Sequence, residues 1–544
     1  MPVKWNPYIK AGAESWNKAF EKIGFKDVIC VKEFPKNDTL FNANSFDCMT
    51  IRYSASWLNS AQTTIHSDTR TGEILNASIL INANMISVQY ADRIGATVAI
   101  DPRVRTTVFP QEIQGELIQA AIAQAVGTGL GLTMNWGASC AYPVDSLRSA
   151  SFTQKYGLAS SVMGGVIIND VATEEDVRNG VCLVNTKPGP YDELVIKYLY
   201  QPIYASSLQE EKETLDSWIR EHTGDPYYAY IRNQSRFDSD PRNSRGSLGD
   251  DHLKSFDYML PNVRKGFENY YSWFAKEDRD FLMRRRVHSA LSERLSGRIY
   301  AILSYIGGIY LNDIREKDAI PSYSMVDREK QKAALSKALE LAKNLDWVDD
   351  TAHLNEFEIS DKKADRLRLD IFNGIFGRLP YVEVCTERFP DAAYTASEYL
   401  DDIYGIVWEG VLKHRPLENF ERALQTAFLE SIISTSTATA PIGSFKASKT
   451  GFAATGKPEI NLAALRNGGK VDMKMYSLQN AEEVAGFSSI PPIYTNQTKI
   501  AAYYFDLLMR TKDMLKKAIS TAPEADRSHY DLLIYRINKA TEIE

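Results

Sequence analysis

The sequence predicts an α+β N-terminal domain, with a mixed twisted sheet and long helices, followed by a mainly α-helical C-terminal domain. Short β-branched or aromatic runs alternate with amphipathic helical patterns in the first part of the chain, whereas apolar residues beyond residue 256 recur at helical spacing. Between the two parts, residues 223–251 form a polar stretch rich in Asp, Arg and Gly. We therefore expect one domain at residues 1–205 and a second at residues 206–544.

The length and composition of the chain are consistent with two globular domains. The chain has 544 residues, of which 44% are hydrophobic and 24% charged, so each domain can form a core. The formal charge of -7 is small for this length, and acidic and basic residues are mixed, which argues against a nucleic-acid partner. The five cysteines are widely spaced and include no C-x-x-C pair, so they predict neither a zinc site nor a redox site.

The sequence contains no apolar run of about 18 residues, so it predicts no membrane-spanning segment. The first residues, MPVKWNPYIKAGAESW, lack the apolar region of a signal peptide and lead directly into a helical pattern. From this start we expect a chain that is truncated at its N terminus and has lost a native leader.

The N-terminal elements begin with a helix at residues 7–23, where apolar residues recur at helical spacing and Gly24 supplies a C-terminal stop. Three β-branched or aromatic runs predict strands at residues 26–34, 49–56 and 73–82. The predicted order is therefore helix, strand, strand, strand.

A second helical pattern follows at residues 85–94, and a long helix is expected to begin near Pro110. Proline is favoured in the first turn of a helix, and Glu112 and Glu116 are suited to the positive end of the helix dipole. This long helix is predicted to be the central helix of the N-terminal domain.

The C-terminal domain is predicted from repeated helical patterns and contains no internal repeat. A Ser/Thr/Ala/Gly-rich stretch from residue 434, STSTATAPIGSFKASKTG, predicts a long loop before two final helices near residues 499–517 and 523–541. The earlier patterns lie at residues 256–274, 278–310, 328–344, 364–376, 397–412 and 417–434.

The long helix from Pro110 has the outline of a zinc-protease helix without its metal ligands. The pattern H-E-x-x-H-x-x-G-x-x-H can be laid over residues 124–134 without a gap, and only its glycine is present, as Gly131. The three ligand positions hold amide, hydroxyl and thioether side chains, and the general-base position holds an alanine. The ligand positions are Gln124, Thr128 and Met134, and the general-base position is Ala125.

The spacing of the pattern has a physical purpose. Residues 124 and 128 lie on one face of a helix and could direct two imidazoles at one ion, while residue 125 could offer a carboxylate to the bound water. Catalytic zinc requires His, Cys, Asp or Glu ligands, and none of the four positions provides one. The seven histidines include no pair at i,i+4 spacing, so the sequence contains no displaced copy of the pattern.

Four stretches around this helix resemble the metzincin-like zinc-dependent metalloproteases with an EcxA-type zinc-binding domain, a family of large bacterial proteins. They are WNKAFEKIGFKDVI from Trp16, DTRTGEILNASILI from Asp68, DPRVR from Asp101, and AYPVDSLRSASFTQKYG from Ala141. Family members carry a Met-turn of the form S-[IV]-M-D-Y shortly afterwards, and this chain has S-V-M-G-G, with Met163 at the methionine position. A second active-site element therefore departs from the family pattern together with the first.

The resemblance implies a zincin fold for residues 1–205, zinc as the family cofactor, and an extracytoplasmic location, periplasmic or at the cell surface. It also implies a cleft whose upper rim is an edge strand at residues 73–82, to which a peptide adds by strand pairing. The candidate binding residues of this cleft are Asn76, Ala77, Ser78, Gln124 and Thr128. We predict that zinc is absent, because the ligand positions of this chain lack suitable side chains.

Other side chains are weaker candidates. Tyr227, Tyr228 and Tyr230 could line a cleft, although core packing explains them equally well. His66 and Asp68 precede the predicted edge strand and are interpreted as residues of a surface turn. The acidic residues between 238 and 251 do not follow the spacing of a calcium loop and are interpreted as a solvated loop.

The sequence therefore predicts a metallopeptidase homologue that has lost its zinc ligands and general base. Our leading interpretation is an inactive pseudopeptidase that retains a cleft for a peptide or protein ligand. Two alternatives remain open: an active hydrolase with a rebuilt site, and a structural or assembly protein whose cleft is filled by side chains.

Overall fold

A computed structural model of the chain describes residues 2–35, 37–38, 40–43, 45–46, 48–58, 61–231, 239–243, 247–316, 318–353, 362–435 and 497–541. One compact unit contains the described residues up to Phe428, and a second unit contains those from Leu429 onward. The long loop predicted from residue 434 lies almost entirely outside the described residues. No helix in these ranges is both long enough and apolar enough to cross a membrane.

The first unit begins with a small sheet and the helices that cover it. Its elements differ from the predicted order in three ways: the first helix is divided, the strand predicted at residues 26–34 is absent, and one strand is additional. The elements are α1 (Asn6–Glu14), α2 (Asn17–Glu21), β1 (Thr50–Ser54), β2 (Ala61–Ser67), β3 (Ile74–Asn82), α3 (Ala83–Thr97) and α4 (Gln111–Gly129).

The three strands form one mixed sheet in the order β1-β3-β2. β1 runs parallel to β3, with Thr50 opposite Ser78, and β2 runs antiparallel to β3, with Thr63 opposite Ile79. The expectation that residues 73–82 form an edge strand is therefore wrong, because β3 has a partner on each side. The edges belong to β1 and β2, and β2, with the polar sequence AQTTIHS, contains too few apolar residues to be recognised as a strand.

The strand predicted at residues 26–34 is also absent, and this segment has an irregular conformation. Side chains of α1 and α2 take the place of a strand partner: Asn17 exchanges two hydrogen bonds with the backbone of Ile29, both at 2.8 Å, and Glu14 accepts from the backbone N–H of Val31 at 3.1 Å. Ile29 and Val31 still pack against the core, so their apolar character is explained without a strand.

The core of this part lies between the sheet and α4, which is buried along most of its length. Ile81 of β3 packs with Ile118 and Ile122 of α4, and Ile9 of α1 completes the cluster. The helix predicted at residues 7–23 is divided into α1 and α2, and between them Trp16 is fully buried. The buried indole N–H of Trp16 donates to the carbonyl of Ala123 on α4 at 2.8 Å.

Beyond α4 the first unit is mainly helical and contains one short two-stranded sheet. Most predicted helices are present, and α5 to α8 and α13 are additional. The elements are α5 (Ala150–Tyr156), α6 (Glu174–Arg178), α7 (Pro190–Tyr200), α8 (Leu208–Arg220), α9 (His252–Phe274), α10 (Leu282–Leu303), β4 (Ile309–Leu311), β5 (Tyr323–Met325), α11 (Arg328–Lys343), α12 (Lys363–Gly377), α13 (Leu379–Arg388), α14 (Ala396–Val407), α15 (Glu409–Leu412) and α16 (Asn419–Thr435), of which α16 continues into the second unit.

A buried ion cluster joins the segment between α5 and α6 to the helices α9 and α10. Asp170 is 1% exposed and contacts the guanidinium groups of Arg294 and Arg298 on α10. The side-chain amide of Asn262 on α9 donates to the carbonyls of Asp170 and Ala172 at 3.0 and 2.9 Å. The segment and both helices belong to the first unit, and the domain boundary at residue 205 stays a prediction.

The second unit contains the end of α16 and two further helices, α17 (Gln497–Ala518) and α18 (Glu524–Thr541). Both final helices agree with the sequence prediction. Arg536 of α18 forms an ion pair with Glu430 of α16 at 2.7 Å, and Leu533 and Ile537 of α18 are fully buried.

Candidate functional site

The C-terminal end of α4 has the geometry that the zinc-protease pattern requires. Gly131 has a φ of 91°, a conformation that favours glycine, and its N–H donates to the carbonyl of Thr128 at 2.9 Å. The N–H of Leu132 donates to the carbonyl of Gly127 at 3.0 Å, which completes a Schellman-type helix end. The chain therefore leaves the helix at the glycine and returns toward it with Met134.

The first and third ligand positions are in direct contact. The side-chain amide of Gln124 donates to the thioether sulfur of Met134 at 3.1 Å. The second position, Thr128, lies one turn further along α4, and its hydroxyl donates to the carbonyl of Gln124 at 3.3 Å. The scaffold thus brings all three positions together, but their polar groups bond to each other and to the helix.

This donor set does not fit the zinc ion that the family pattern implies. An amide, a hydroxyl and a thioether carry no negative charge, and neutral oxygens and thioether sulfur are poor ligands for Zn²⁺. Ala125, at the general-base position, has no group that could accept a proton from water. Among the described residues, no group of three or more His, Cys, Asp or Glu side chains could hold a metal ion elsewhere.

The methionine of the Met-turn, Met163, lies against Gly127 of α4. Met163 is fully buried in a cluster with Trp16, Phe20 and Ala123. A Cβ atom at Gly127 would lie 2.6 Å from the sulfur of Met163 and 2.5 Å from the ring of Trp16. Gly127 is therefore required by this close approach, despite its cost of about 1 kcal/mol inside a helix.

A buried carboxylate holds the Met-turn in place. Asp192, in the first turn of α7, accepts from the hydroxyl of Ser161 at 2.5 Å and from the N–H groups of Val162 and Gly189, both at 2.9 Å. Burial raises the pKa of Asp192 to about 7, and the hydrogen bonds from Ser161, Gly189 and Val162 oppose this shift. The Met-turn is thus anchored by a group that the sequence analysis did not identify.

Asn135, which directly follows the third ligand position, connects three segments. Its N–H donates to the carbonyl of Met163 at 3.1 Å. Its side-chain amide donates to the carbonyl of Ala229 at 2.9 Å and accepts from the N–H of Ile231 at 3.1 Å. The amide therefore binds the backbone on both sides of Tyr230, whose hydroxyl lies 3.3 Å from that of Thr133.

Residues of the sheet also contact the C-terminal part of α4. The hydroxyl of Thr63 on β2 donates to the carbonyl of Ala125 at 3.0 Å, and Thr63 and Ala77 are the neighbours that a Cβ atom at Gly129 would meet. We use the name cleft for the region between β2 and the loop at residues 130–135, where the family resemblance predicts one. In the described part of the chain, no strand pairs with the outer edge of β2.

The three binding candidates on β3 are engaged in the structure. The side-chain amide of Asn76 donates to the carbonyl of Cys48 at 2.9 Å, and the hydroxyl of Ser78 lies 3.2 Å from that of Thr50. Ala77 faces α4 and is 1% exposed. A ligand strand cannot pair with β3, since both of its edges are occupied, and the edge strands of this sheet are β1 and β2.

The weaker candidates are also placed by the structure. His66 is the sixth residue of β2, and its ring meets the edge of Phe46. Asp68 accepts two hydrogen bonds from the Arg70 side chain in the turn after β2. The acidic loop is not simply solvated, because Asp240 is 1% exposed and forms an ion pair with Arg242 at 2.7 Å.

Comparison with known families agrees with this scaffold. Residues 106–415, more than half of the chain, match the family described as Met-zincin, and the chain belongs to that family. The match covers α4, the Met-turn and much of the helical part, and it confirms the metzincin-like resemblance. No curated protein and no solved structure matches the chain.

Sequence reasoning missed Thr63, Asn135 and Asp192. Thr63 was missed because its strand was not predicted. Asn135 carried one usable signal, since it directly follows the last ligand position of the pattern. Asp192 resembles any acidic residue in the first turn of a helix, and only its burial distinguishes it.

Proposed function

We propose that this chain is a catalytically inactive member of the Met-zincin family that binds an extended peptide or protein segment without cleaving it. The observation that carries the proposal is the hydrogen bond between Gln124 and Met134, because it places two non-ligand side chains against each other where zinc would lie. Because the end of α4 carries no side chains that ligate zinc, no metal-bound water is available as the nucleophile. Ala125 also cannot act as the general base that would activate such a water.

The edge of β2 supports the binding part of the proposal. An edge strand presents backbone N–H and C=O groups with which another strand can pair. Natural proteins prevent unwanted pairing of this kind with lysine, proline or inward-pointing charges on the edge strand. β2 contains none of these residues in its sequence, AQTTIHS. Its inner face is fixed to α4 through Thr63, so the strand is held in place for pairing.

The test uses the purified chain, a library of unstructured peptides and metal analysis. We expect no stoichiometric zinc, no chelator-sensitive cleavage, and binding of a subset of peptides. Hydrogen exchange should then show new protection at alternate backbone amides of β2, since only every second residue of an edge strand faces outward. Stoichiometric zinc with chelator-sensitive cleavage would overturn the proposal.

A structural role is the second candidate function, and one observation favours it. Met163 is fully buried and the side chains of Gln124 and Met134 are bonded to each other, so the former metal site is filled. If no peptide binds and β2 gains no protection, this role is the better explanation. A rebuilt metal-dependent hydrolase site receives no support from the described residues, among which no three or more His, Cys, Asp or Glu side chains form a group that could hold a metal ion.

We also propose an extracytoplasmic location in a bacterial cell, in keeping with the family resemblance. Fractionation of cells that produce the native gene product tests it. Recovery of the protein in the cytoplasmic fraction alone would contradict this location.

A further inference from the structure

We infer that the ligand of the cleft is an uncharged extended segment that places an aromatic side chain against the ring of Tyr230. This inference rests on the proposed function and specifies the chemistry of the ligand. It follows from the lack of charged side chains on β2, which forms the upper wall of the cleft, and at the base of the cleft. It also follows from the way Tyr230 is held.

The upper wall is almost free of ionisable groups. Six of the seven residues of β2 have side chains that cannot carry charge, and the seventh is His66. A strand that adds to this edge places its own side chains beside those of β2, as cross-strand neighbours. A lysine or aspartate of the ligand would find no opposite charge on β2 to compensate its lost hydration.

Among the described residues, the three side chains that we assign to the base of the cleft are equally neutral. Gln124, Thr128 and Met134 replace the side chains that would hold a metal ion, so the site offers neither a cation to attract a carboxylate nor a carboxylate to attract a lysine. The side-chain N–H of Gln124 and the hydroxyl of Thr128 already donate hydrogen bonds within the protein. Shape and apolar contact, rather than charge, must therefore select the ligand.

Tyr230 is the aromatic group that lies beside this neutral base. Its hydroxyl is 3.3 Å from the hydroxyl of Thr133, the residue before Met134. Its ring is stacked on Tyr191, with centroids 6.2 Å apart and an angle of 13° between the planes. Tyr230 is partly exposed in the described part of the chain, which is what contact with a ligand requires.

The position of Tyr230 is fixed before any ligand binds. Asn135 is fully buried and holds the backbone on both sides of Tyr230 through its side-chain amide. Ile231, the next residue, packs on Gly137, where a Cβ atom would lie 2.1 Å from its side chain. A fixed aromatic ring loses little conformational entropy on binding, and aromatic pairs add to the energy of simple burial.

The experiment measures binding of labelled peptides to the full chain by fluorescence polarisation. One series is uncharged and contains a central Phe, Tyr or Trp; matched series replace the aromatic residue by Ala or place Asp or Lys beside it. We expect the uncharged aromatic peptides to bind at least about tenfold more tightly than either matched series, with little dependence on salt.

Three variants locate the contact. Y230A should weaken the aromatic peptides to the level of the Ala series, whereas Y230F, which keeps the ring, should bind nearly as the parent protein does. Tyr228 stacks on His222 instead of reaching Thr133, so Y228A is the matched control and should bind normally. A peptide that carries a photoreactive benzoylphenylalanine at the aromatic position should label Tyr230 or Thr133 in the unaltered chain, whether or not Y230A folds.

The peptide-binding results can contradict the aromatic contact with Tyr230 without contradicting peptide binding itself. Binding that prefers charged peptides, that falls with salt, or that is unchanged in Y230A with no labelling of residues 130–135 or 230 would overturn the inference and leave peptide binding in place. Failure of every series to bind would overturn both.

Discussion

The side-chain amide of Gln124 donates a hydrogen bond to the sulfur of Met134 at 3.1 Å, across the space where the family pattern places a zinc ion. This contact shows that the helix and the returning loop keep the geometry of a metal site while their side chains do not. The scaffold and the chemistry of the site have therefore separated in this chain, and each can be tested by itself.

The scaffold is tested by restoring the ligands. We expect the triple variant Q124H/T128H/M134H to bind one zinc ion per chain, because α4 and its glycine turn already bring these positions together. Zinc content after dialysis and a calorimetric titration measure the result. The double variant Q124H/T128H, with two ligands, is the control and should bind zinc far more weakly. A triple variant that folds and binds no zinc would show that the ligand geometry is not retained.

The close approach at Gly127 predicts a specific instability. G127A should lower the free energy of unfolding by about 1–3 kcal/mol, because the new methyl group would lie 2.6 Å from the sulfur of Met163. Chemical denaturation monitored by tryptophan fluorescence measures the change. Gly297 of α10 is the matched control, since a Cβ atom there meets nothing within 4 Å, and G297A should be neutral or stabilising by about 0.5–1 kcal/mol.

Asp192 predicts how stability depends on pH. Its pKa is raised from 3.8 to about 7 in the folded chain, mainly by burial. The unfolded chain therefore loses this proton at lower pH than the folded chain does, so the contribution of Asp192 to stability is full below pH 3.8 and is lost as pH rises toward 7.

The variant D192N tests this dependence, since an asparagine cannot ionise. We expect the free energy of unfolding of D192N to fall less steeply than that of the parent chain between about pH 4 and pH 7, the interval in which the Asp192 carboxyl titrates. Denaturation midpoints measured at intervals across this range provide the comparison. Parallel pH profiles would contradict a raised pKa.

The ion cluster at Asp170 predicts a large cost for removing one partner. D170N should destabilise the chain by about 3–5 kcal/mol, because the guanidinium of Arg298 is 2% exposed and would lose its compensating charge. The more exposed pair of Asp216 and Arg315, at 3.5 Å, is the control, and D216N should cost about 1 kcal/mol or less. Equal effects of the two substitutions would show that Asp170 is not a buried anchor.

The Asp170 cluster also has a pH signature. The cationic Arg294 and Arg298 side chains counter the effect of burial and hold the pKa of Asp170 below its ordinary value of 3.8. This stabilisation is present at neutral pH and is lost as pH falls below 3.8, in contrast to that of Asp192. Acid unfolding of the parent chain and of D170N should therefore differ less than their unfolding at neutral pH.

The sequence by itself determined the long helix from Pro110, strands β1 and β3 and most of the later helices, because these depend on local periodicity and helix-end signals. It also determined what the metal site lacks, since the residue types at four positions decide that question without coordinates. These conclusions rely on neighbours in sequence or on chemical identity alone.

Only the tertiary structure decided which strands form the edges of the sheet, why residue 127 is glycine and what anchors the Met-turn. β2 has a polar sequence and becomes a strand through its pairing with β3. Asp192 reaches the Met-turn across about 30 positions of sequence, and Asn135 reaches residues 229 and 231 across nearly 100. Such contacts depend on how distant segments pack, and a local pattern carries no record of them.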